Sequence, residues 1–188
     1  WENAGAATWT DGSILVDSGS ATFVNLAGGV FDIQAGGRQF TDSCGQGLVI
    51  ENLGTLRKSG STGTVTLGVN CGSGDKVVHN RGLVEVQTGT LRLSTQTLSA
   101  DHTGTFAIAD GATLVFNQGT HAFNTGVSFT GVGAVSFQAA IALGANLDFD
   151  TLKVVFENSA SVSGAFELAN APGGTITFDK SMTVPGSL

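Results

Sequence analysis

Tyrosine is absent from this chain of 188 residues, methionine occurs once, and proline and cysteine occur twice each. Charged residues reach only 12%, about half the usual quarter. Each shortage excludes something. The 8 basic residues are scattered against 15 acidic ones, for a net charge of −7. That leaves no basic stripe for a phosphate backbone, and nucleic acid is excluded as a partner. No run approaches the roughly 20 apolar residues of a membrane span. The longest candidate, from Ala139 to Leu147, is broken by Gly144 and Asn146. Apolar residues at i, i+3, i+4 and i+7 are also missing, so helices are not expected. Scarce proline and the lack of a three-residue glycine period exclude collagen. A 41% hydrophobic content excludes disorder.

What is abundant is glycine, at 28 residues. Between the glycines lie short alternating runs, among them Val30–Ile33, Thr64–Leu67, Leu83–Val86, Thr90–Leu93, Thr105–Ile108 and Thr175–Phe178. These are four-residue, β-branched or aromatic segments, bounded by turn formers, and they read as strands. Taking Gly5, Gly29, Gly54, Gly82, Gly104 and Gly126 as anchors gives steps of 24, 25, 28, 22 and 22 residues. A second series, Gly63, Gly89, Gly111 and Gly133, steps by 26, 22 and 22. Two parallel series of this period define an internal repeat.

Two and four residues after the first five anchors come Ala7/Trp9, Phe31/Ile33, Leu56/Lys58, Val84/Val86 and Phe106/Ile108. All but Lys58 are apolar, as alternate residues facing a shared core would be. Lys58 is expected to end its strand bending outward. After Gly126 the pair becomes Val127/Phe129, a slip of one residue.

A repeat of 22–28 residues is too short for a propeller blade and has the size of one coil of a parallel β-helix. The fold expected is therefore all-β, a single-stranded right-handed parallel β-helix of about eight coils, with the pattern weakening beyond Gly144. Residues 1–188 read as one such domain. Trp1-Glu2-Asn3 has neither a basic nor an apolar leader character, so the chain reads as a piece of a longer exported protein. Flanking domains, or self-association through the solenoid ends, would cover its open edges.

Asn3, Asn25, Asn52, Asn80 and Asn124 sit just before anchor glycines, and His102 fills the remaining slot. Asparagine tolerates the conformations of a corner, and its amide can bond the like residue of the next coil. A structural corner ladder follows. The same stacking sets Arg57 over Glu85.

Cys44 lies 15 residues after its anchor and Cys71 lies 17 after its own. Adjacent coils then bring the two to disulfide distance. The longest steps also create polar bulges at 35–47 and 68–76, which offer Arg38, Asp42, Asp75 and Lys76 as candidate binding residues. Asp148 and Asp150 are the closest carboxylates on an extended run, with Lys153 nearby. They are candidates for glycosidase acid–base work or for calcium. Trp1 and Trp9 could stack on a sugar ring. No other metal or cofactor is expected, since His79, His102 and His121 lack partners at i+2 or i+4. The pairs Thr64/Thr66, Thr95/Thr97 and Thr175/Thr177 do not recur at the same coil position in consecutive coils, so no regular threonine face is expected for ice binding.

The texture of Asn52-Leu53-Gly54-Thr55-Leu56 and Gly89-Thr90-Leu91-Arg92-Leu93 resembles the β-helix repeats of bacterial surface proteins. Filamentous-haemagglutinin-like adhesins and autotransporter passenger domains are of this kind. The resemblance implies a secreted or cell-surface rod for adhesion, display or assembly. The function expected is a non-catalytic module touching extracellular glycan or protein along its side. A carbohydrate-binding or carbohydrate-active β-helix is the alternative.

Overall fold

The computed structural model describes residues 1–43, 45–68, 72, 74–157, 160–164 and 167–179. Among the described residues there are strands and turns and no helix. Successive strands wind around three faces. The first face stacks Glu2–Asn3, Ser20–Asn25, Gly47–Asn52, Lys76–Asn80 and Ser99–His102 in parallel. The second stacks Ala6–Trp9, Val30–Ile33, Thr55–Lys58, Leu83–Val86, Thr105–Ile108 and Ser128–Gly131 as a six-stranded sheet. The third begins with Ile14–Val16, Arg38–Asp42, Thr64–Leu67 and Thr90–Ser94.

Further along, the corner between the third and first faces shrinks. Thr113–Phe123 and Ala134–Leu143 run across both faces as single long strands. The first turns its corner at Gln118 and Gly119, both at positive φ, where the register shifts. The third face closes with Lys153–Phe156 and Thr175–Phe178.

The result is a parallel β-solenoid of about seven turns. The expected coil number was about eight. The first face carries eight strand levels from Glu2–Asn3 to Ser161–Ser163, and eight levels enclose seven steps.

Each coil is nearly flat, so its apolar residues are buried by the coils above and below. Columns of like residues fill the interior. One reads Phe31, Leu56, Val84, Phe106 and Phe129. Another ends in Phe116, Phe137, Phe156 and Phe178, with ring centroids 5.2, 4.7 and 5.2 Å apart. The core is thus mostly aliphatic between Ile33 and Leu93 and phenylalanine-rich beyond Phe106.

The glycine anchors have a steric cause. A Cβ on Gly54 would strike the carbonyl oxygens of Gly29 and Leu26, and one on Gly82 that of Gly54. Gly29 and Gly104 are closed in the same way. None of these four has positive φ. The corner backbones simply approach too closely for a side chain.

Lys58 corrects the expectation of an outward bend. It stays in the inward column Trp9–Ile33–Lys58–Val86–Ile108 and is fully buried. Its four-carbon stem replaces an aliphatic side chain, and its ammonium donates to the carbonyls of Ser59 and Ser61. Burial holds its pKa below the usual lysine value.

Candidate functional site

The corner ladder is the longest polar feature of the interior. Asn3 Nδ2 donates to Asn25 Oδ1 at 2.8 Å, Asn25 to Asn52 at 2.9 Å, and Asn52 to Asn80 at 2.8 Å. The second amide proton goes to a backbone carbonyl: Val30, Thr55 and Leu83 in turn. His102 pairs in register with Asn80. Asn124 does not belong to the ladder. Phe123 holds that position, in register with His102, and Asn124 lies one residue beyond, donating to Asp101. Phe123 and Phe129 are six residues apart where His102 and Phe106 are four, and Asn124 falls within that longer turn.

Outside, charged side chains stack across coils. Asp32, Arg57 and Glu85 occupy one outward row of the second face. Arg57 Nε meets Glu85 Oε2 at 2.6 Å. The bond to Glu85 raises the pKa of Arg57. Burial pushes the Glu85 carboxyl up, but hydrogen bonds from Gln87 and Arg57 outweigh it and hold it below its usual value. Asp32 accepts from Gln34 at 2.9 Å and from Ser59 at 2.7 Å.

A second cluster lies on the first face. Glu51, His79 and Asp101 are in register on successive coils. Arg81 bridges the outer two, with Nη1 on Glu51 and Nη2 at 3.2 Å from Asp101 Oδ2. The Asp101 backbone N–H donates to His79 Nδ1 at 2.9 Å, which leaves the proton on Nε2, 3.8 Å from Glu51 Oε1. Burial opposes the charge on Arg81, and the bonds to Glu51 and Asp101 overcome it and raise its pKa. Sequence reading singled out none of these four as a cluster. The signal was present: 51, 79 and 101 are separated by 28 and 22, which are the anchor steps themselves.

The residues expected to bind a ligand are dispersed. Asp42 and Lys76 are not surface groups; both side chains are 0% exposed and their charges lie 3.2 Å apart. Lys76 Nζ also donates to Gly74 O at 3.2 Å and Gln96 Oε1 at 3.3 Å. Asp42 ends its strand and Lys76 begins its own, both side chains are buried, and each charge compensates the other. Arg38 is engaged with Asp11 at 2.7 Å, and Asp75 is exposed. Cys44 and Cys71, and with them the expected disulfide, lie outside the described residues.

Asp148 and Asp150 do not share an extended strand. The strand Leu147–Asp148 ends there, and Asp150 adopts φ 52°. Asp148 Oδ1 accepts the Asp150 backbone N–H at 3.0 Å, closing a turn. The intervening Phe149 is buried, and the two carboxylates belong to this turn. Among the described residues, no three His, Cys, Asp or Glu side chains are grouped to hold a metal ion. Trp9 is 5% exposed and donates its indole N–H to Gly12 O, so it offers no face to a sugar. Trp1 is 62% exposed, packed against Phe23 at the edge of a recess of about 360 Å³ with Ile14, Val16 and Phe40.

Beyond those pairs, Thr64, Thr90 and Thr113 share one coil position on consecutive coils. Their first step of 26 matches the second glycine series, and the next, 23, is one longer than its 22. Ala134 and Lys153 continue the row and end the threonine run at three.

The fold and these lateral clusters define a parallel β-solenoid. Set beside known protein families, curated proteins and solved structures, the chain matches none.

Proposed function

We propose that this chain is a non-catalytic, secreted or cell-surface rod, serving adhesion, display or assembly. Its sides would contact an extracellular glycan or protein. One observation carries this reading: three of the four arginines, all on the lateral faces, are spent on carboxylates of neighbouring coils. Arg57 is held by Glu85, Arg81 by Glu51 and Asp101, and Arg38 by Asp11. Such pairs hold neighbouring coils in register, as cross-strand pairs do. A reaction centre would instead aim its charges at a vacant position where a substrate sits. The rod needs no cofactor.

The carbohydrate-active alternative now rests on Glu51, His79, Arg81 and Asp101, where two carboxylates, an imidazole and a guanidinium meet. A glycan array run beside a polysaccharide-cleavage assay separates the two readings. Binding without cleavage supports the rod. Cleavage that disappears in Glu51→Gln or Asp101→Asn would overturn it.

A further inference from the structure

The amide ladder ends at an unusual pair. Above Asn80 the corner position is held by His102, then by Phe123 and Leu143. His102 Nε2 lies 3.1 Å from His121 Nδ1, and the rings stack with centroids 5.4 Å apart and planes 11° apart. Both imidazoles are 0% exposed. Phe106, Phe116 and Phe123 pack around His102 at 5.4, 5.6 and 5.1 Å, and Phe116 touches His121 at 5.1 Å. One proton fits between the facing nitrogens and a second does not. The far nitrogens, His102 Nδ1 and His121 Nε2, have no hydrogen-bond partner. A charge on His102 would therefore be buried with no partner, and one on His121 would meet only the backbone of Gln118 and Asn117.

We propose that the His102–His121 pair is an acid-operated joint in the solenoid. It divides a block held by the asparagine ladder, up to Asn80, from a block held by stacked phenylalanines, beyond Phe106. On acidification both rings take a proton, the coils at 99–102 and 120–123 part, and the two blocks stay folded.

The surroundings supply no counter-charge. The preceding coil contributes the imidazole of His79 and the guanidinium of Arg81, and both disfavour a charge on His102. Lys76, farther along that coil, faces Asp42. Asp101, on the same strand as His102, is engaged outside by Arg81 and Asn124. Arg92 and Glu85 occupy outward rows of their strands. Thr113–Phe123 carries no titratable side chain besides His121, while Thr105–Ile108, Ser128–Gly131 and Ala134–Leu143 carry none.

Burial, followed by His121, His79 and Arg81, holds His102 well below the usual histidine value. Burial takes His121 down to about 3, against a smaller opposing effect of the Gln118 and Asn117 backbone. Both folded values lie below the unfolded one. Stability is therefore complete above about pH 6.5 and declines as pH falls toward 3. Two protons change the opening equilibrium about 100-fold per pH unit.

Hydrogen exchange of the full chain, followed by mass spectrometry from pH 7 to 3, tests this together with imidazole NMR titration. Peptides covering 99–123 should lose protection first, with both rings neutral until then, while 47–58 stays protected. His102→Asn with His121→Leu, which extends the ladder and removes both titrations, should lower the midpoint by at least one pH unit. If the double variant does not fold, His102→Asn alone should lower the midpoint by a smaller step. Uniform loss of protection, a ring titrating near 6.5 in the folded protein, or unchanged midpoints would each overturn the proposal.

Discussion

Asn52 reaches across 28 residues of chain to donate its side-chain N–H to Asn80 Oδ1 at 2.8 Å, while accepting from Asn25 at 2.9 Å. All three side chains are fully buried. Each amide is thus both donor and acceptor, and removing a middle one orphans two neighbours. Asn52→Ala should cost about 2–5 kcal/mol, since each unsatisfied buried group costs roughly 1–3. Urea denaturation measures it, and an unchanged midpoint would refute the ladder's energetic role.

The glycines of the corner offer a sharper contrast. Gly54→Ala and Gly82→Ala drive a methyl into a carbonyl of the preceding coil, whereas nothing lies within 4 Å of a Cβ on Gly5. The first two should lose about 3 kcal/mol. Gly5→Ala should stay within about 1 kcal/mol of the parent, because Gly5 does not require positive φ. Equal thermal midpoints for all three would contradict the close approach of the coils.

Lys58 should make stability rise with pH. Its folded pKa is lowered from 10.5 by burial, so the unfolded chain holds the proton more tightly. Stability therefore increases as pH climbs through the folded value toward 10.5. The chain has no tyrosine to titrate in the same range. Lys58→Met should be within about 1.5 kcal/mol of the parent at pH 7 and should lose this alkaline rise. The same rise in both proteins would show that Lys58 is not its source.

Arg57 and Glu85 are partly exposed, at 35% and 27%, so their coupling is small. A double-mutant cycle should give about 0.5 kcal/mol at low salt and less at high salt. The folded pKa of Glu85 is depressed from 4.5. Its contribution is present above that value and fades as pH falls through the folded one. Coupling that ignores both salt and acid would mean that packing holds the pair.

The repeat, the all-β class and the inward register were legible because stacking repeats the same steric demand at every coil. Glycine recurs where backbones touch, as at Gly29, Gly54, Gly82 and Gly104, and alternation marks the side facing in. The ladder was legible from Asn3 to Asn80 for the same reason. It failed at Asn124 because the strand register runs through Phe123, which leaves the Asn–Gly motif one residue later, inside the turn.

The sequence by itself thus determined the solenoid, since coil length and alternation are properties of the chain. Tertiary structure alone decided where the lysines, the histidines and the Glu51–Asp101 cluster went. Lys58 lies inward because two corner carbonyls receive its ammonium, and Lys76 because Asp42 is buried beside it. Glu51, His79, Arg81 and Asp101 meet because three coils of unequal length end in register. The pairing of His102 with His121 arises from the diagonal approach of two neighbouring coils, a relation that spacing along the chain does not express.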